Sequence, residues 1–164
     1  MNFTSRLFDY FPHVYGDAWQ SFKEYLEKLG DVFGFAYLEG EESADEKRSQ
    51  YYSPNRAEKI SQIEEVLSEG EELIKNHYNS DVRVQTVSAR LLELHVEYAR
   101  LMAPALIEKA RGNDEAADEA LKTARIEMGK RECEFEPYYD HMLNFHAWKP
   151  MFSTKTASNE PIIY

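Results

Sequence analysis

The chain is poor in the residues and segments that several large classes of protein require. Cys133 is the single cysteine among 164 residues, which excludes an intramolecular disulfide and a zinc site built from several cysteines. No stretch approaches the roughly 20 consecutive apolar residues of a membrane span, and the first residues lack the apolar segment of a signal peptide. We therefore expect a soluble, cytoplasmic protein, with the compartment unknown if the chain is a fragment of a secreted one.

Positive charge is also scarce. The chain has 19 Lys and Arg residues against 30 Asp and Glu residues, and its formal net charge is −11 at pH 7. Phosphate backbones and anionic lipids are held mainly by Lys and Arg side chains. Nucleic acid and membrane surfaces are therefore not expected as partners.

Apolar residues make up 43% of the chain, enough for one buried core, so a single domain over residues 1–164 is predicted. Asp17 and Gln20 have the form of a capping box, and the apolar residues behind them recur at helical spacing until Gly30. The pattern then dissolves into a long connection from Gly30 to Ser53.

Two further helices follow this connection. The first has Ser53 as its N-cap and runs from Pro54 to about His77. The next has apolar residues at spacings of three and four from Val84 to Ala105 and ends at Gly112. Pro104 removes a backbone donor from this helix, so a kink or an early end is expected there.

A fourth, long helix is predicted from a cap at Asn113 to about Phe145, with an interruption at Pro137. The residues predicted to line its buried face are Ala117, Leu121, Ala124, Met128, Phe135, Tyr138, Met142 and Phe145. The last segment, Ala147 to Tyr164, contains two prolines and is expected to run extended. The sequence therefore predicts an all-α, up-down antiparallel bundle of about four main helices, with a long loop after the first and an extended C-terminal tail.

Metal and catalytic motifs are incomplete. A di-iron bundle needs Glu three residues before His on two helices, and none of the five histidines has that spacing. Glu132 and Glu136, one helical turn apart, are the weak alternative for a contact with one divalent metal, against the favoured interpretation of a salt-bridge cluster. No catalytic residue and no cofactor is predicted, because the glycines form no phosphate-binding loop and Cys133 lies between two acids, which disfavours its thiolate.

Aromatic residues concentrate outside the helical seams. Tyr and Trp suit protein interfaces and sugar faces, because they combine an apolar body with a polar group. The alternative is that they pack the loop and tail onto the bundle. The candidate interaction surface consists of Tyr10, Phe11, Tyr15, Tyr51, Tyr52 and Trp148.

Four stretches carry a family resemblance: the run from Tyr10 to Trp19, its continuation from Tyr25 to Leu29, the stretch from Leu94 to Tyr98, and the turn from Ala110 to Asn113. Together they resemble the helical region that follows the catalytic barrel in certain bacterial glycoside hydrolases. In such proteins the paired catalytic carboxylates belong to the barrel. The resemblance therefore implies a C-terminal accessory domain, and no catalytic residue is carried over to this chain.

The leading functional prediction is a non-catalytic accessory domain of a bacterial carbohydrate-active enzyme. It would dock against a glycosidase-like barrel through the aromatic N-terminal segment and the loop from Gly30 to Ser53, and a carbohydrate is a further expected ligand. One alternative is a free-standing bundle that binds a small ligand or a divalent metal between its third and fourth helices. Another is a homo-oligomeric interaction protein.

Overall fold

All regular structure in the described chain is helical. The structure, a computed structural model, describes residues 10–148 and 151–152, and no β-strand occurs in them. The predicted all-α class is confirmed, with four helices of substantial length. A helical segment at residues 10–15 (α1) and a 3₁₀ turn at Gly16–Ala18 lead into α2 (Trp19–Phe33), α3 (Phe35–Leu38), α4 (Pro54–Ser61), α5 (Ile63–His77), α6 (Arg83–Arg111), α7 (Asp114–Gly129), α8 (Glu132–Phe135) and α9 (His141–Trp148).

The chain divides into two compact units. Unit 1 comprises Met1–Val32 and Gln62–Glu97, and unit 2 comprises Phe33–Ser61 and Tyr98–Tyr164. Helix α6 therefore contributes its first half to unit 1 and its second half to unit 2. None of the helices in the described residues is long and apolar enough to cross a membrane.

Unit 1 is built on α2 and α5, which pack antiparallel. The ring centres of Phe22 and His77 lie 5.5 Å apart, and the Tyr25 ring lies against Gly70. A residue later in α2 thus contacts a residue earlier in α5, as expected for antiparallel helices. A Cβ at Gly70 would come within 2.3 Å of the Tyr25 ring. Gly70 therefore lets a large aromatic side chain pack directly on the α5 backbone, and both residues are buried.

In unit 2, the second half of α6 packs antiparallel to α7. The Lys109 ammonium pairs with the Asp114 carboxylate at 2.7 Å, and the Tyr98 hydroxyl donates to the Met128 carbonyl at 3.3 Å. The buried stripe of α7 is the one that the spacing predicted, and it continues across the next break to Phe135. It consists of Ala117, Leu121, Ala124 and Met128.

The end of α6 is a Schellman motif at the predicted residue, Gly112. This glycine has φ +77°, its N–H donates to the Lys109 carbonyl, and the Asn113 N–H donates to the Glu108 carbonyl. The side chain of Asn113 donates to the Glu108 carboxylate at 2.7 Å and forms no capping bond to α7. The predicted side-chain cap is therefore wrong, because Asn113 is engaged in ending α6.

The predicted end of the first helix at Gly30 is wrong, and of the two outcomes predicted at Pro104 the early end does not occur. Helix α2 passes through Gly30 and ends at Phe33, because Gly30 lies outside the left-handed region and Gly34, with φ +71°, is the residue that turns the chain. Helix α6 continues through Pro104, which is exposed. Burial of the residues on either side, among them Leu106, offsets the loss of one backbone hydrogen bond.

Two predicted long helices are divided. The second is split into α4 and α5, and the Ser61 hydroxyl at the break donates back to the Ala57 carbonyl at 2.7 Å, a bond that competes with helix continuation. The Ser53 cap of α4 is confirmed, since its hydroxyl accepts from the Arg56 N–H at 3.4 Å. The predicted fourth helix ends early, at Gly129, a weak helix former. Tyr138, which was predicted on its buried face, follows α8 and is exposed.

The predicted extended tail falls almost entirely outside the described residues. Its first residues, Ala147 and Trp148, belong to α9 and are helical.

We expect the two glycines at the end of α2 to respond in opposite directions to alanine. At Gly34 a Cβ would lie 2.3 Å from the Arg56 guanidinium carbon, and the positive φ adds strain, so Gly34→Ala should lower the free energy of unfolding by roughly 3 kcal/mol. At Gly30 a Cβ would meet no atom within 4 Å, so Gly30→Ala should raise it by about 0.5–1 kcal/mol. Urea unfolding of both variants measures this, and equal effects would contradict the geometry.

Candidate functional site

The connection between α2 and α4, which includes α3, is held by a buried arginine. Arg56, 7% exposed, donates from Nε to the Glu42 carboxylate at 3.1 Å and from Nη2 to its second oxygen. The Ser53 hydroxyl donates to the same carboxylate at 3.2 Å. The guanidinium also occupies the space where a side chain at Gly34 would begin. One ion pair therefore joins the start of this connection, its middle and the first turn of α4.

The same connection satisfies carbonyls at the C-terminal end of α6. The last four carbonyls of a helix have no partner within the helix. Here the Ser53 N–H donates to the Ala110 carbonyl at 2.9 Å, and Arg48 donates to the Arg111 carbonyl at 3.2 Å. One turn earlier, the hydroxyl of fully buried Tyr37 donates to the Leu106 carbonyl at 3.2 Å. The predicted long loop is thus a fixed cap on α6.

Phe35 projects from this fixed connection into solvent. It is the first residue of α3 and is 78% exposed, whereas Tyr37, two residues later, is fully buried. Sequence reasoning named the connection as a docking loop but did not identify Phe35. The signal in the sequence that could have indicated Phe35 is Gly34, since a turn at this glycine ends α2 and makes Phe35 the first residue of the next helix.

Three of the predicted interaction residues lie in unit 1. Tyr10 is 58% exposed and packs edge-on against Phe11. Phe11 and Tyr15 are half-buried, and the Tyr15 ring stacks on the buried Phe22 ring at 4.7 Å. Tyr10 alone of the three presents most of its side chain to solvent.

The other three lie in unit 2 and differ in placement. Tyr51 is only 6% exposed and packs edge-on against Tyr37, so its place on an interaction surface is wrong. Tyr52 is half-buried under the Arg48 guanidinium, 4.0 Å from its ring centre. Trp148 is half-buried at the end of α9. Tyr51 therefore follows the alternative interpretation, in which aromatic residues pack the loop.

The weak metal alternative gains no further ligand from the fold. Glu132 and Glu136 bracket the single turn of α8, where the Glu136 N–H donates to the Glu132 carbonyl at 2.8 Å. Glu136 is exposed. Among the residues that the structure describes, no group of three or more His, Cys, Asp or Glu side chains is placed to hold a metal ion.

His141, close to these acids in sequence, points into the core of unit 2. It is 3% exposed, and its Nδ1 forms a hydrogen bond with the Tyr98 hydroxyl. Tyr139 packs edge-on against the His141 ring at 5.1 Å between ring centres. Burial lowers the pKa of His141 and raises the pKa of Tyr139. The imidazole is therefore a neutral core group at pH 7.

Two open cavities lie in unit 1. The larger, ≈ 600 Å³, is lined by residues of α5 and α6 that include Ile74, Glu93 and Glu97. The smaller, ≈ 330 Å³, has a wall formed by the chain around Asp17. Neither includes a residue of α7 among the described lining, so the predicted ligand site between the third and fourth helices gains no support from them.

Comparison with known proteins gives no relative for this arrangement. No protein-family model, no curated protein and no solved structure matches the chain. The resemblance to the helical region of glycoside hydrolases therefore stays a prediction.

Stability should decline in acid because of Glu42. Its hydrogen bonds with Arg56 hold the Glu42 pKa below the ordinary value of 4.5, so the folded chain binds this proton less readily than the unfolded chain. The resulting stability is present above pH 4.5 and is lost as the pH falls through the folded pKa. Urea unfolding across an acid pH series should show a smaller decline in Glu42→Gln. Glu46→Gln controls for the charge, and an equal decline in Glu42→Gln and wild type would contradict this.

His141 should cause a separate loss of stability, which begins at a higher pH than the loss due to Glu42. Because burial lowers its pKa below 6.5, the unfolded chain takes up a proton that the folded chain resists, and stability falls as the pH drops below about 6.5. In His141→Phe this decline should shrink, while Tyr98 keeps its bond to the Met128 carbonyl. Thermal unfolding between pH 7.5 and 5 tests it, with exposed His13→Gln as the control. A wild-type pH profile in His141→Phe would rule out this role.

Proposed function

We propose that this chain is a non-catalytic helical module that docks against a second protein module, with Phe35 at the centre of the contact surface. The observation that carries the proposal is the 78% exposure of Phe35 on a connection fixed by the Arg56–Glu42 ion pair. An isolated exposed apolar residue is ordinary on a protein surface. A large aromatic residue exposed on an ordered segment is less so, and Phe is among the residue types that are enriched at protein interfaces.

Rigidity is what makes this position suitable for binding. Ordering a flexible loop on association costs roughly 0.5–1.5 kcal/mol for each immobilised side chain. Here three hydrogen bonds to carbonyls of α6, from Tyr37, Arg48 and Ser53, order the connection before any partner arrives. A partner therefore gains the burial of the Phe35 ring without that cost.

For the partner we propose a glycosidase-like barrel, as the resemblance implies. The net charge of −11 supports a partner whose contact face is neutral or basic, because two acidic faces repel one another. A second copy of the chain is the other candidate, but self-association would bring two such acidic surfaces together.

Replacement of Phe35 by serine tests the docking surface. The reading frame upstream of the chain would first be searched for a barrel domain, and the purified barrel titrated with wild-type chain by calorimetry. Phe35→Ser should weaken binding by about 30-fold, the effect of removing one aromatic hot spot. The thermal stability should stay within about 0.5 kcal/mol of wild type, because the residue is exposed.

Val84→Ser, at an exposed apolar position of unit 1, is the matched control and should bind as wild type does. Sedimentation of the chain alone separates the remaining cases. If the wild-type chain associates with itself and Phe35→Ser does not, the partner at this surface is a second copy of the chain. Equal barrel binding by Phe35→Ser and wild type, or neither kind of association, would overturn the proposed docking surface.

A further inference from the structure

A polar cavity in unit 1 has no part in the proposed docking surface. Its volume is ≈ 330 Å³, at the lower end of the range for pockets that hold small molecules. Its polar lining includes Tyr15, Asp17, Asn76, His77 and Gln85. Its lining combines amides, an imidazole, a phenol and a carboxylate.

The amide of Gln85 forms a fixed wall of this cavity. Its Oε1 accepts from the Ser80 hydroxyl at 2.6 Å, and Ser80 is held in turn by reciprocal hydrogen bonds with Thr86. A Cβ at Gly16 would lie 3.0 Å from the same Oε1. Gly16, with φ +61°, therefore lets the Gln85 amide lie against the main chain, with its nitrogen as the donor end.

The proton positions of the other polar groups follow from their surroundings. The Nδ1 of His77 lies 2.7 Å from the Leu73 carbonyl, which can only accept, so Nδ1 is the donor in this bond. Burial raises the pKa of Tyr15 to about 12, so its hydroxyl remains a donor at neutral pH. The Asp17 carboxylate is an acceptor. The cavity thus offers both donors and acceptors.

Charge and ring packing exclude several ligand classes. None of the described residues lining the cavity is Lys or Arg, so a phosphate or carboxylate ligand would find no counter-charge. The Tyr15 ring already stacks on the Phe22 ring, at 4.7 Å between ring centres, and contacts the Phe11 ring at 5.5 Å, which disfavours stacking of a planar base on it.

We propose that this cavity binds a neutral, polyhydroxylated small molecule of about monosaccharide size. A hydroxyl group both donates and accepts, which matches a lining that includes the Gln85 amide and the Tyr15 hydroxyl as donors and the Asp17 carboxylate as an acceptor. The inference concerns unit 1 and is independent of docking through Phe35, which belongs to unit 2.

The test titrates the ¹⁵N-labelled chain with myo-inositol and D-glucose and follows the side-chain amide of Gln85 and the ring of His77 by NMR. Binding of at least one polyol should be saturable, with a dissociation constant on the order of 1 mM. Inorganic phosphate is the charged comparison and should produce no saturable shift.

Two glycines provide a matched pair of variants. Gly16→Ala inserts a methyl group at 3.0 Å from the Gln85 amide and should weaken polyol binding at least about tenfold. Gly40→Ala, also at positive φ and 3.1 Å from a glutamine amide but in unit 2, carries similar strain and should leave binding unchanged.

Asp17→Ala, at an exposed position, is a second variant that tests the proposal if Gly16→Ala does not fold. It should also weaken binding about tenfold, because a carboxylate acceptor is lost. No saturable shift with either polyol would overturn the proposal. So would wild-type affinity in Asp17→Ala, or saturable binding of phosphate in place of the polyols.

Discussion

The ion pair between Arg56 and Glu42 is the interaction on which the rest of unit 2 depends. Arg56 is almost fully removed from water, and a buried guanidinium is tolerated only where a carboxylate and further acceptors satisfy it. Glu42 supplies two oxygens, and the space left open by Gly34 accommodates the guanidinium beside the main chain. Removal of Glu42 would take from the buried guanidinium the carboxylate that holds it, so this ion pair helps to order residues 34–56 as one piece.

That ordered piece explains how α6 ends. A 29-residue helix leaves carbonyls without partners at its C-terminus, and here these groups lie in unit 2. Gly112 reverses the chain by a Schellman motif, while Ser53 and Arg48 supply donors from the connection between α2 and α4. The cation of Arg48 also lies at the negative end of the helix dipole. A segment without regular periodicity is thus a structural part of the helix terminus.

The two proposed functions use different physical properties of the chain. Docking through Phe35 relies on an exposed apolar ring on a segment that hydrogen bonds already order, so that association buries the ring without ordering a loop. The cavity beside Gln85 relies instead on fixed polar groups without a cation, which favour a neutral ligand. Tyr15, an aromatic residue that lines this cavity, has its ring in contact with the rings of Phe11 and Phe22.

The sequence by itself determined the all-α class, the buried stripe of α7, the cap at Ser53 and the end of α6 at Gly112. These features depend on spacing and on residues with one strong local preference. Only the tertiary structure decided whether Gly30 or Gly34 turns the chain, whether Pro104 ends a helix, and whether Tyr51 or Phe35 faces solvent. Each of these outcomes depends on groups distant in sequence, such as Arg56 beside Gly34 and Tyr37 beside Tyr51, and local pattern does not encode such contacts.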